Sequence, residues 1–395
     1  DQAAGAQEAI SDGTVVNEIN ELIRECISSG ASDIHFEPGE KELLCRARID
    51  GVLAKRRSLA KERVPETISR LKIMSNLDIA EKRRPQDGRI RFPFESRTVD
   101  IRVSIIPTDF GEKAVLRLLD KDKLRLDLQG LGFLPEQLLT FKEGIAQPNG
   151  IILVTGPTGS GKTTTLYAAL STLRSPNVNI STVEDPIEYY VDGVNQTQVK
   201  PDIDLTFSKM LRALLRQDPN IIMVGEIRDR ETLDIAIRAS LTGHLVLSTV
   251  HTNSAVATIT RLLDMGAEPY LISSSLRLVV AQRLLRLNCH HCLSPEFDEA
   301  NCAAAASLGL AITPTARKGT GCQKCDHTGF AGRIAVYELL RVDDVLKQAI
   351  TSRQSETQLT DIANRSGFLS MLQSSQSLID SGKTTPLEVL REISQ

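Results

Sequence analysis

The first part of the chain carries one amphipathic segment, followed by stretches in which apolar and polar residues alternate. From Val15 to Ile27 the apolar residues recur at helical spacing, and Gly30 is placed to end that helix. A second helical pattern covers residues 64–80. Alternation with a period of two, which is typical of strands with one buried face, covers residues 32–38, 42–53, 88–94 and 99–107. We therefore predict a mostly antiparallel α+β domain over residues 14–119.

Polar stretches lie on both sides of this predicted domain. Residues 1–13 are small and polar, which favours a frayed start. Residues 120–129 open with a run of charged residues and are predicted to form a linker. Because the first residue is Asp1 rather than Met, we expect the chain to lack an N-terminal segment.

From residue 130 the pattern changes to apolar strands that alternate with longer helical segments. The strands are apolar along most of their length, as expected when both faces are buried. Predicted strands cover residues 150–156, 178–185, 220–226 and 244–251, and helical patterns between them include 207–217 and 230–240. This alternation predicts an α/β core with a parallel sheet at residues 130–287. Residues 288–333 are irregular, and residues 334–395 return to helical spacing.

Composition excludes several functional classes. Of the 395 residues, 41% are apolar and 25% are charged, as in an ordinary globular protein of two or three domains. The formal net charge of −3 is not that of a duplex-binding protein, and 4% aromatic residues offer few platforms for stacking bases. We find neither an apolar run of about 18 residues nor a signal peptide. We therefore expect a cytoplasmic protein with no nucleic-acid partner.

The segment from Gly156 to Thr163, GPTGSGKT, fits the pattern of a phosphate-binding loop. It follows a predicted strand and leads into a helical segment, which is the context that such a loop requires. Glycines let backbone N–H groups turn toward phosphates, and the helix N-terminus adds its dipole. Lys162 is predicted to reach the β- and γ-phosphates, and Thr163 to ligate Mg²⁺. The predicted nucleotide-binding residues are Gly156, Pro157, Thr158, Gly159, Ser160, Gly161, Lys162, Thr163 and Thr164.

A second Gly-Lys-Thr sequence, at 382–384, lacks this context. No strand precedes it, and Gly382 is placed to end a helix. Thr385, Pro386 and Glu388 fit the N-cap, first and third positions of a closing helix. We interpret the segment as a turn.

Three other predicted strands end in polar residues. Glu184 and Asp185 follow the second strand of the core, Glu226 follows the third and His251 follows the fourth. The carboxyl ends of parallel strands meet at one edge of the sheet, where ligands usually bind. One such residue alone would be an ordinary charged residue between strand and loop. Their occurrence together, beside a phosphate loop, favours a nucleotide-hydrolysing site.

Four of the seven cysteines form two Cys-x2-Cys pairs. In a chain without a secretory signal, this spacing predicts a metal site rather than disulfides. Four thiolates would form a closed tetrahedral cage for a structural Zn²⁺. His290 and His291 lie inside the first pair and are alternative ligands, although the four thiolates fit the spacing better. The predicted Zn²⁺ ligands are Cys289, Cys292, Cys322 and Cys325, and we expect Cys26, Cys45 and Cys302 to be small buried hydrophobic residues.

Taken together, these motifs resemble those of a known family. Residues 156–170, 182–189, 211–229 and 242–255 resemble the phosphate loop, Asp box, Walker B and His box of the bacterial secretion ATPases, which serve type II secretion and type IV pilus assembly. The resemblance runs from about residue 30 to the C-terminus and includes the paired cysteines. It implies a RecA-like P-loop ATPase core, preceded by a smaller α+β domain and carrying a zinc-binding insertion.

The resemblance also implies residue roles. In this family the Walker B strand ends in Gly-Glu, so Glu226 stands where the catalytic carboxylate is expected to orient or deprotonate the attacking water. Thr163 would share the charge of Mg²⁺ with the Asp-box acids through water, and Glu184 is the favoured contributor. His251 would sense the γ-phosphate.

Arginines are expected to supply positive charge, since an arginine finger contributes roughly 10³–10⁵ in rate. The resemblance implies that Arg102 and Arg117 reach the nucleotide when the first domain closes over the second. It further implies that the cleft is lined by Arg212, Arg216, Arg228 and Arg261. Each could instead be a solvated or ion-paired surface arginine.

For the whole protein, the resemblance implies a homo-hexamer that uses ATP, Mg²⁺ and Zn²⁺ and powers type II secretion of proteins across the bacterial outer membrane. It would associate with the inner membrane peripherally, through an anchor protein and platform proteins. Pilus assembly is the alternative within the family, because the motifs do not separate the two. Two alternatives lie outside this family. The near-neutral net charge disfavours a nucleic-acid translocase, and the presence of Glu226 disfavours a nucleotide-binding scaffold that does not hydrolyse ATP.

Overall fold

The computed structural model describes residues 2–119 and 127–393, with side chains from residue 15 onward. The chain divides into two compact units, Asp1–Leu124 and Arg125–Gln395. The predicted linker at 120–129 falls mostly on residues 120–126, which lie outside the described residues. In the described part of the chain, no helix is both long and apolar enough to cross a bilayer.

The first unit is a six-stranded antiparallel sheet with two helices. Alternate residues of the strands, such as Ile34 and Phe36, are buried in one core with apolar residues of both helices. Its helices are α1 (Gln2–Ser28) and α2 (Val64–Met74), and its strands are β1 (Asp33–Pro38), β2 (Glu42–Ile49), β3 (Val52–Ala60), β4 (Gln86–Phe94), β5 (Arg97–Thr108) and β6 (Gly111–Leu119). The strand order is β3-β2-β1-β6-β5-β4, with antiparallel neighbours throughout.

This unit differs from the predicted pattern in two places. α1 begins at Gln2, so residues 2–13, for which composition favoured a frayed start, have helical backbone; adding residues to an existing helix needs no new nucleus. Residues 42–53, which the alternation groups together, form a hairpin. Asp50 and Gly51 have φ of 48° and 86°, the left-handed conformation that a two-residue Asp-Gly turn requires.

The second unit is an α/β fold around a seven-stranded sheet. Its helices are α3 (Pro135–Ile145), α4 (Lys162–Leu173), α5 (Phe207–Leu214), α6 (Arg230–Leu241), α7 (Ala255–Asp264), α8 (Pro269–Ser275), α9 (Glu299–Leu308), α10 (Asp344–Thr351), α11 (Glu356–Arg365), α12 (Met371–Asp380) and α13 (Pro386–Ile393). Its strands are β7 (Gly150–Thr155), β8 (Ile180–Glu184), β9 (Asn195–Gln198), β10 (Ile221–Val224), β11 (Leu245–Val250), β12 (Leu276–Asn288), β13 (Leu293–Ser294), β14 (Lys318–Gly319) and β15 (Phe330–Arg341).

The large sheet has the order β15-β12-β7-β11-β10-β8-β9, with parallel neighbours from β12 to β9. The four predicted core strands are confirmed as β7, β8, β10 and β11. β15 pairs antiparallel with β12 along almost its whole length, which the sequence pattern did not predict. β13 and β14 form a separate two-stranded ribbon in the cysteine-bearing segment.

Hydrophobic residues of the C-terminal helices share a core with this sheet. Leu346, Leu359, Leu378 and Val389 belong to the same buried cluster as Val246 of β11. α12 and α13 pack on β15 and β12, whereas α10 and α11 pack on α8 and α7, so the apolar stripes of all four helices are buried in this core.

Three local predictions have a clear outcome. The turn at 381–385 is confirmed: the Thr385 hydroxyl accepts a hydrogen bond from the N–H of Glu388 as the N-cap of α13. The segment 288–333 is not wholly irregular, since it contains α9, whose alanine-rich sequence has high helix propensity. Cys26 and Cys45 are buried as predicted, but the prediction for Cys302 is wrong because its side chain lies exposed on α9.

Candidate nucleotide site and cysteine cluster

Four adjacent parallel strands end at the same edge of the large sheet. β7 leads into the loop at 156–163, β11 into His251, β10 into Glu226 by way of one glycine, and β8 ends at Glu184. In the sheet these strands follow one another in the order β7-β11-β10-β8. The fold therefore brings the predicted phosphate loop and the three predicted polar residues to one edge, which is the usual ligand site of such sheets.

The loop at 156–163 adopts backbone conformations that favour glycine. Gly156, Gly159 and Gly161 have φ of 145°, 82° and 88°. A Cβ at Gly156 would lie 2.4 Å from the carbonyl oxygen of Gln282, so no side chain fits there. Among the described residues, the buried hydroxyl of Ser160 has no hydrogen-bond partner. An orphaned donor in a glycine loop at the N-terminus of α4 fits a bound phosphate.

Lys162 begins α4 and turns its ammonium back onto the loop. Its Nζ donates to the carbonyl oxygens of Gly156 at 2.8 Å and Pro157 at 3.0 Å. Burial lowers the pKa of Lys162 to about 8, while the nearby charge of Glu226 opposes the shift and that of Arg283 adds to it. A bound anion would favour the charged form again, which suits this lysine to hold phosphates. Thr163 and Thr164 follow on α4 and are half-buried.

Glu226 lies at the centre of the polar groups on this edge. Its Oε2 is 3.5 Å from Nε2 of His251, and its Oε1 accepts a hydrogen bond from the guanidinium of Arg228. The Glu226 side chain is only 13% exposed, whereas His251 is 52% exposed. The hydrogen bond with Glu226 raises the pKa of Arg228 above its usual range. Predicted catalytic and nucleotide-binding residues thus meet here in one charged cluster.

Threonine hydroxyls hold the loops on both sides of this cluster. Thr155, the last residue of β7, accepts from the N–H of Thr252 at 2.9 Å, and the Thr252 hydroxyl lies 2.7 Å from that of Thr258. The Thr249 hydroxyl donates to the carbonyl oxygen of Gly225 at 2.7 Å. These bonds fix the backbone next to His251 and Glu226, so both side chains start from defined positions.

Glu184 has a different environment from Glu226. It is 2% exposed. Its carboxylate accepts hydrogen bonds from the Tyr167 hydroxyl, from the Thr182 hydroxyl at 2.5 Å and from the Gln196 amide at 3.0 Å. Burial, followed by the charge of Glu184, raises the pKa of Tyr167 above its usual range. The neighbouring Asp185 is exposed and is therefore the more accessible acid at this strand end.

The other predicted cleft arginines of the second unit are exposed, Arg212 and Arg261 on helices and Arg216 in the turn that follows α5. Arg212 of α5 forms an ion pair with Glu231 of α6 at 2.9 Å. Arg216 donates to the carbonyl oxygen of Arg212 at 3.0 Å, and Arg261 is exposed on α7. Of the predicted arginines in this unit, Arg228 is the one with a direct contact to Glu226.

In the first unit, Arg102 and Arg117 lie directly opposite each other on β5 and β6. The same row of the sheet continues to Asp33 on β1, whose Oδ1 accepts from Nε of Arg117 at 3.0 Å. Opposed residues of antiparallel strands share a face, so the two arginines and Asp33 lie side by side. Asp33 restricts the orientation of Arg117, a relationship that the sequence pattern does not reveal.

The four paired cysteines form one cluster whose ligand atoms all lie within 4.8 Å of one another. The sulfur of Cys322 is 3.9 Å from that of Cys289 and 3.8 Å from that of Cys325. Four sulfurs bound to one Zn²⁺ at about 2.3 Å would be about 3.8 Å apart. The cluster therefore fits a four-thiolate Zn²⁺ site, and all four cysteines are free thiols.

Backbone donors add to this fit. The N–H groups of Cys322 and Gly329 point to the sulfur of Cys325 at 3.2 and 3.3 Å. Burial alone would raise the pKa of Cys325, but hydrogen bonds from these two N–H groups and from the thiols of Cys322 and Cys292 lower it to about 6. Burial raises the pKa of Cys289 to about 11. His290 and His291, the alternative ligands, contact each other with their rings tilted by 41° and lie outside the cluster.

Two functional candidates were missed in the sequence: Gln282 and Arg283, both buried in the middle of β12. Gln282 contacts the phosphate loop, and the Arg283 guanidinium donates to the carbonyl oxygen of Asn253, two residues after His251, at 3.3 Å. The signal was present, since two consecutive polar residues interrupt the apolar run LVVAQRLL. Buried polar residues in such a strand require specific partners.

Comparison with known proteins gives a consistent result. Residues 8–393 match the family model described as "Type II/IV secretion system protein". The chain is 51% identical to type II secretion system protein E of Pseudomonas aeruginosa, covering 96% of this chain and 76% of that protein. It is 46% identical to the type IV pilus assembly ATPase PilB of Myxococcus xanthus, and this match covers 97% of this chain and 68% of PilB.

A solved structure has the same fold over nearly the whole chain. It is the crystal structure of the pilus retraction motor PilT with bound ADP, which is 27% identical and superposes with a TM-score of 0.62. The match covers 94% of this chain and 96% of that one.

Proposed function

This chain belongs to the family of type II/IV secretion system proteins, and from that membership we propose that it powers type II secretion of proteins across the bacterial outer membrane. As a member it is an ATP hydrolase that uses ATP and Mg²⁺. The observation that carries the proposal is the 51% identity with a type II secretion system protein E over 96% of the chain.

We propose separate roles for the residues that bind phosphate, hold Mg²⁺ and activate water. The glycine loop and α4 bind the triphosphate, and Lys162 exchanges its bonds to the loop carbonyls for phosphate oxygens. Bound Mg²⁺ would neutralise phosphate charge, and Thr163 and the Asp-box acids, directly or through water, would hold it there. Glu226 orients the attacking water and takes its proton, and its contacts with His251 and Arg228 hold the carboxylate in place.

Arginines complete this proposal. Arg228 already contacts Glu226, so it is placed to stabilise charge on the transferred phosphoryl group. We assign the same task to Arg102 and Arg117, with Asp33 keeping Arg117 oriented. Arg212, Arg216 and Arg261 are proposed to line the nucleotide cleft, without a direct part in hydrolysis.

The cysteine cluster is proposed to hold a structural Zn²⁺. Its four sulfurs leave no open coordination position, so the metal would stabilise the segment rather than take part in hydrolysis. The segment is poor in large apolar residues, and metal binding can contribute roughly 10–16 kcal/mol to folding of such modules.

Assembly and location are proposed from family membership. We propose a homo-hexamer in the cytoplasm that is attached to the inner membrane through an anchor protein and platform proteins. Light scattering of the purified protein with and without ATP tests the hexamer. A particle mass that corresponds to one chain under both conditions would contradict it.

Pilus assembly is the second candidate function, and the 46% identity with PilB over 97% of the chain favours it. The two candidates are distinguished by deleting the protein from its host. Type II secretion predicts loss of exported enzymes from the medium with surface pili intact, restored by the wild-type chain but not by Glu226→Gln. Loss of pili with normal export would instead identify a pilus assembly ATPase.

A further inference from the structure

The buried side chain of Gln282 joins β12 to the phosphate loop. Gln282 is 1% exposed and stands one position beyond Ala281, which pairs with Thr155 at the end of β7. Gly156 likewise stands one position beyond Thr155. The register therefore places Gln282 beside the first residue of the loop, at the point where the two strands separate.

Both the nitrogen and the oxygen of the Gln282 side-chain amide form hydrogen bonds. Its Nε2 donates to the carbonyl oxygen of Ser160 at 2.6 Å, and its Oε1 accepts from the hydroxyl of Thr165 at 2.8 Å. Ser160 belongs to the loop and Thr165 to the first turn of α4. The amide therefore spans the segment that contains Lys162. The backbone oxygen of Gln282 also closes the space next to Gly156.

We propose that Gln282 is a positioning residue that keeps the phosphate loop in its nucleotide-binding shape before ATP arrives. The inference rests on the proposed function of this loop. A loop with three glycines at positive φ has many alternative conformations, and ordering it on binding would weaken the affinity. When only a fraction of the protein has the competent loop, the apparent dissociation constant rises by the inverse of that fraction.

The effect should fall on nucleotide binding rather than on the chemical step. Gln282 contacts the loop and α4, and in the described part of the chain its side-chain amide bonds to Ser160 and Thr165 rather than to Glu226 or His251. Once ATP occupies the loop, its phosphates hold the same N–H groups that Gln282 helped to arrange. Loss of these two buried hydrogen bonds is expected to raise the apparent dissociation constant about tenfold or more.

The test compares Gln282→Met with Gln137→Met. Met has a similar length but makes no comparable hydrogen bonds. Gln137 of α3 is also buried, and its amide donates to the carbonyl oxygen of Tyr337 and the hydroxyl of Ser374, neither of which belongs to the loop. Steady-state turnover gives kcat and KM, fluorescence anisotropy of a labelled ATP analogue gives the dissociation constant, and thermal unfolding reports folding of both variants.

We expect Gln282→Met to raise KM and the dissociation constant about tenfold, with kcat within about threefold of wild type. Thr165→Val, which loses only one of the two bonds, should show a smaller rise of about threefold. Gln137→Met should lower the unfolding temperature without changing KM. An unchanged KM in Gln282→Met, or an equal rise in Gln137→Met, overturns the inference. Absence of turnover in the wild-type protein would instead refute the proposed function.

Discussion

Oε2 of Glu226 and Nε2 of His251 lie 3.5 Å apart, at the ends of the adjacent parallel strands β10 and β11. The pair places an acceptor for a proton next to an exposed imidazole, and Lys162 lies close enough for its pKa to respond to the charge of Glu226. A carboxylate in this position is accessible from the phosphate loop, unlike the buried Glu184.

Glu226→Gln keeps the shape of the side chain and removes its charge. We expect ATP binding within about threefold of wild type and turnover lowered by about 10² or more, because an amide cannot accept the proton of the attacking water. Phosphate release and titration with a fluorescent nucleotide measure the two quantities. Glu143→Gln, which changes an exposed carboxylate paired with Arg341, is the matched control. Turnover near wild type in Glu226→Gln would contradict the assigned role.

Nucleotide affinity should depend on pH through Lys162. Its pKa in the nucleotide-free protein is lowered to about 8, and bound phosphates raise it again. Below about pH 8 the ammonium is already formed, so affinity should be constant. Above about pH 8 binding must take up a proton, and affinity should fall by up to about tenfold per pH unit.

The measurement is a nucleotide titration at pH values from about 7 to 9.5, with thermal unfolding at each pH to establish that the protein stays folded. A dissociation constant that does not change across this range would show that Lys162 is fully charged before nucleotide binds. The lysine would then not be as desolvated as its burial indicates.

Arg102→Ala should reduce turnover about 10³-fold while leaving nucleotide affinity nearly unchanged, because an arginine finger acts on charge that develops in the transition state. Arg57→Ala is a suitable control, since Arg57 lies in the same unit and pairs with Glu25. An Arg102 variant that loses its secondary structure in circular dichroism, or that unfolds far below wild type, would indicate a structural arginine instead.

Cys289→Ser should remove bound zinc and loosen the segment around the cluster. We expect metal analysis to show less than about half of the wild-type zinc content, and limited proteolysis to cut within residues 293–328. Cys302→Ser provides the matched control because Cys302 is exposed and outside the cluster. Equal zinc content in both variants would mean that Cys289 is not a ligand.

The C-terminal helix α13 should depend on a buried ion pair. The Glu388 carboxylate is fully buried and binds the guanidinium of Arg286 at 2.7 and 3.0 Å and that of Arg391 at 2.6 Å. Glu388→Ala removes the carboxylate that binds Arg286, while Arg391 keeps its ion pair with Glu392 at 2.9 Å, and should lower the free energy of unfolding by about 3 kcal/mol. Urea unfolding measures this loss. The double variant Glu388→Leu with Arg286→Met should recover much of it; no recovery would point to the hydrogen bond that the Glu388 carboxylate accepts from the backbone N–H of Arg286 rather than to the ion pair.

Features that depend only on neighbouring residues could be predicted from the amino-acid sequence. Strands buried on both faces leave continuous apolar runs, which is why β7 and β11 were predicted nearly to their ends. The phosphate loop was predicted because glycines, Lys162 and the strand and helix around them are contiguous. The two cysteine pairs had the spacing of a zinc site, and their four sulfurs meet in one cluster.

The partner of each polar residue could not be predicted in this way, because the two members of each pair are far apart in sequence and meet only in the folded protein. Glu184 ends β8 and Glu226 follows β10. Tyr167 and Gln196 enclose the carboxylate of Glu184, whereas the Glu226 side chain is 13% exposed. Gln282 and Ser160 are 122 residues apart, and the pairing of β12 with β7 brings them together. The local pattern of apolar and polar residues indicates which side chains are buried, but hydrogen-bond partners and strand register arise from the packing of distant segments.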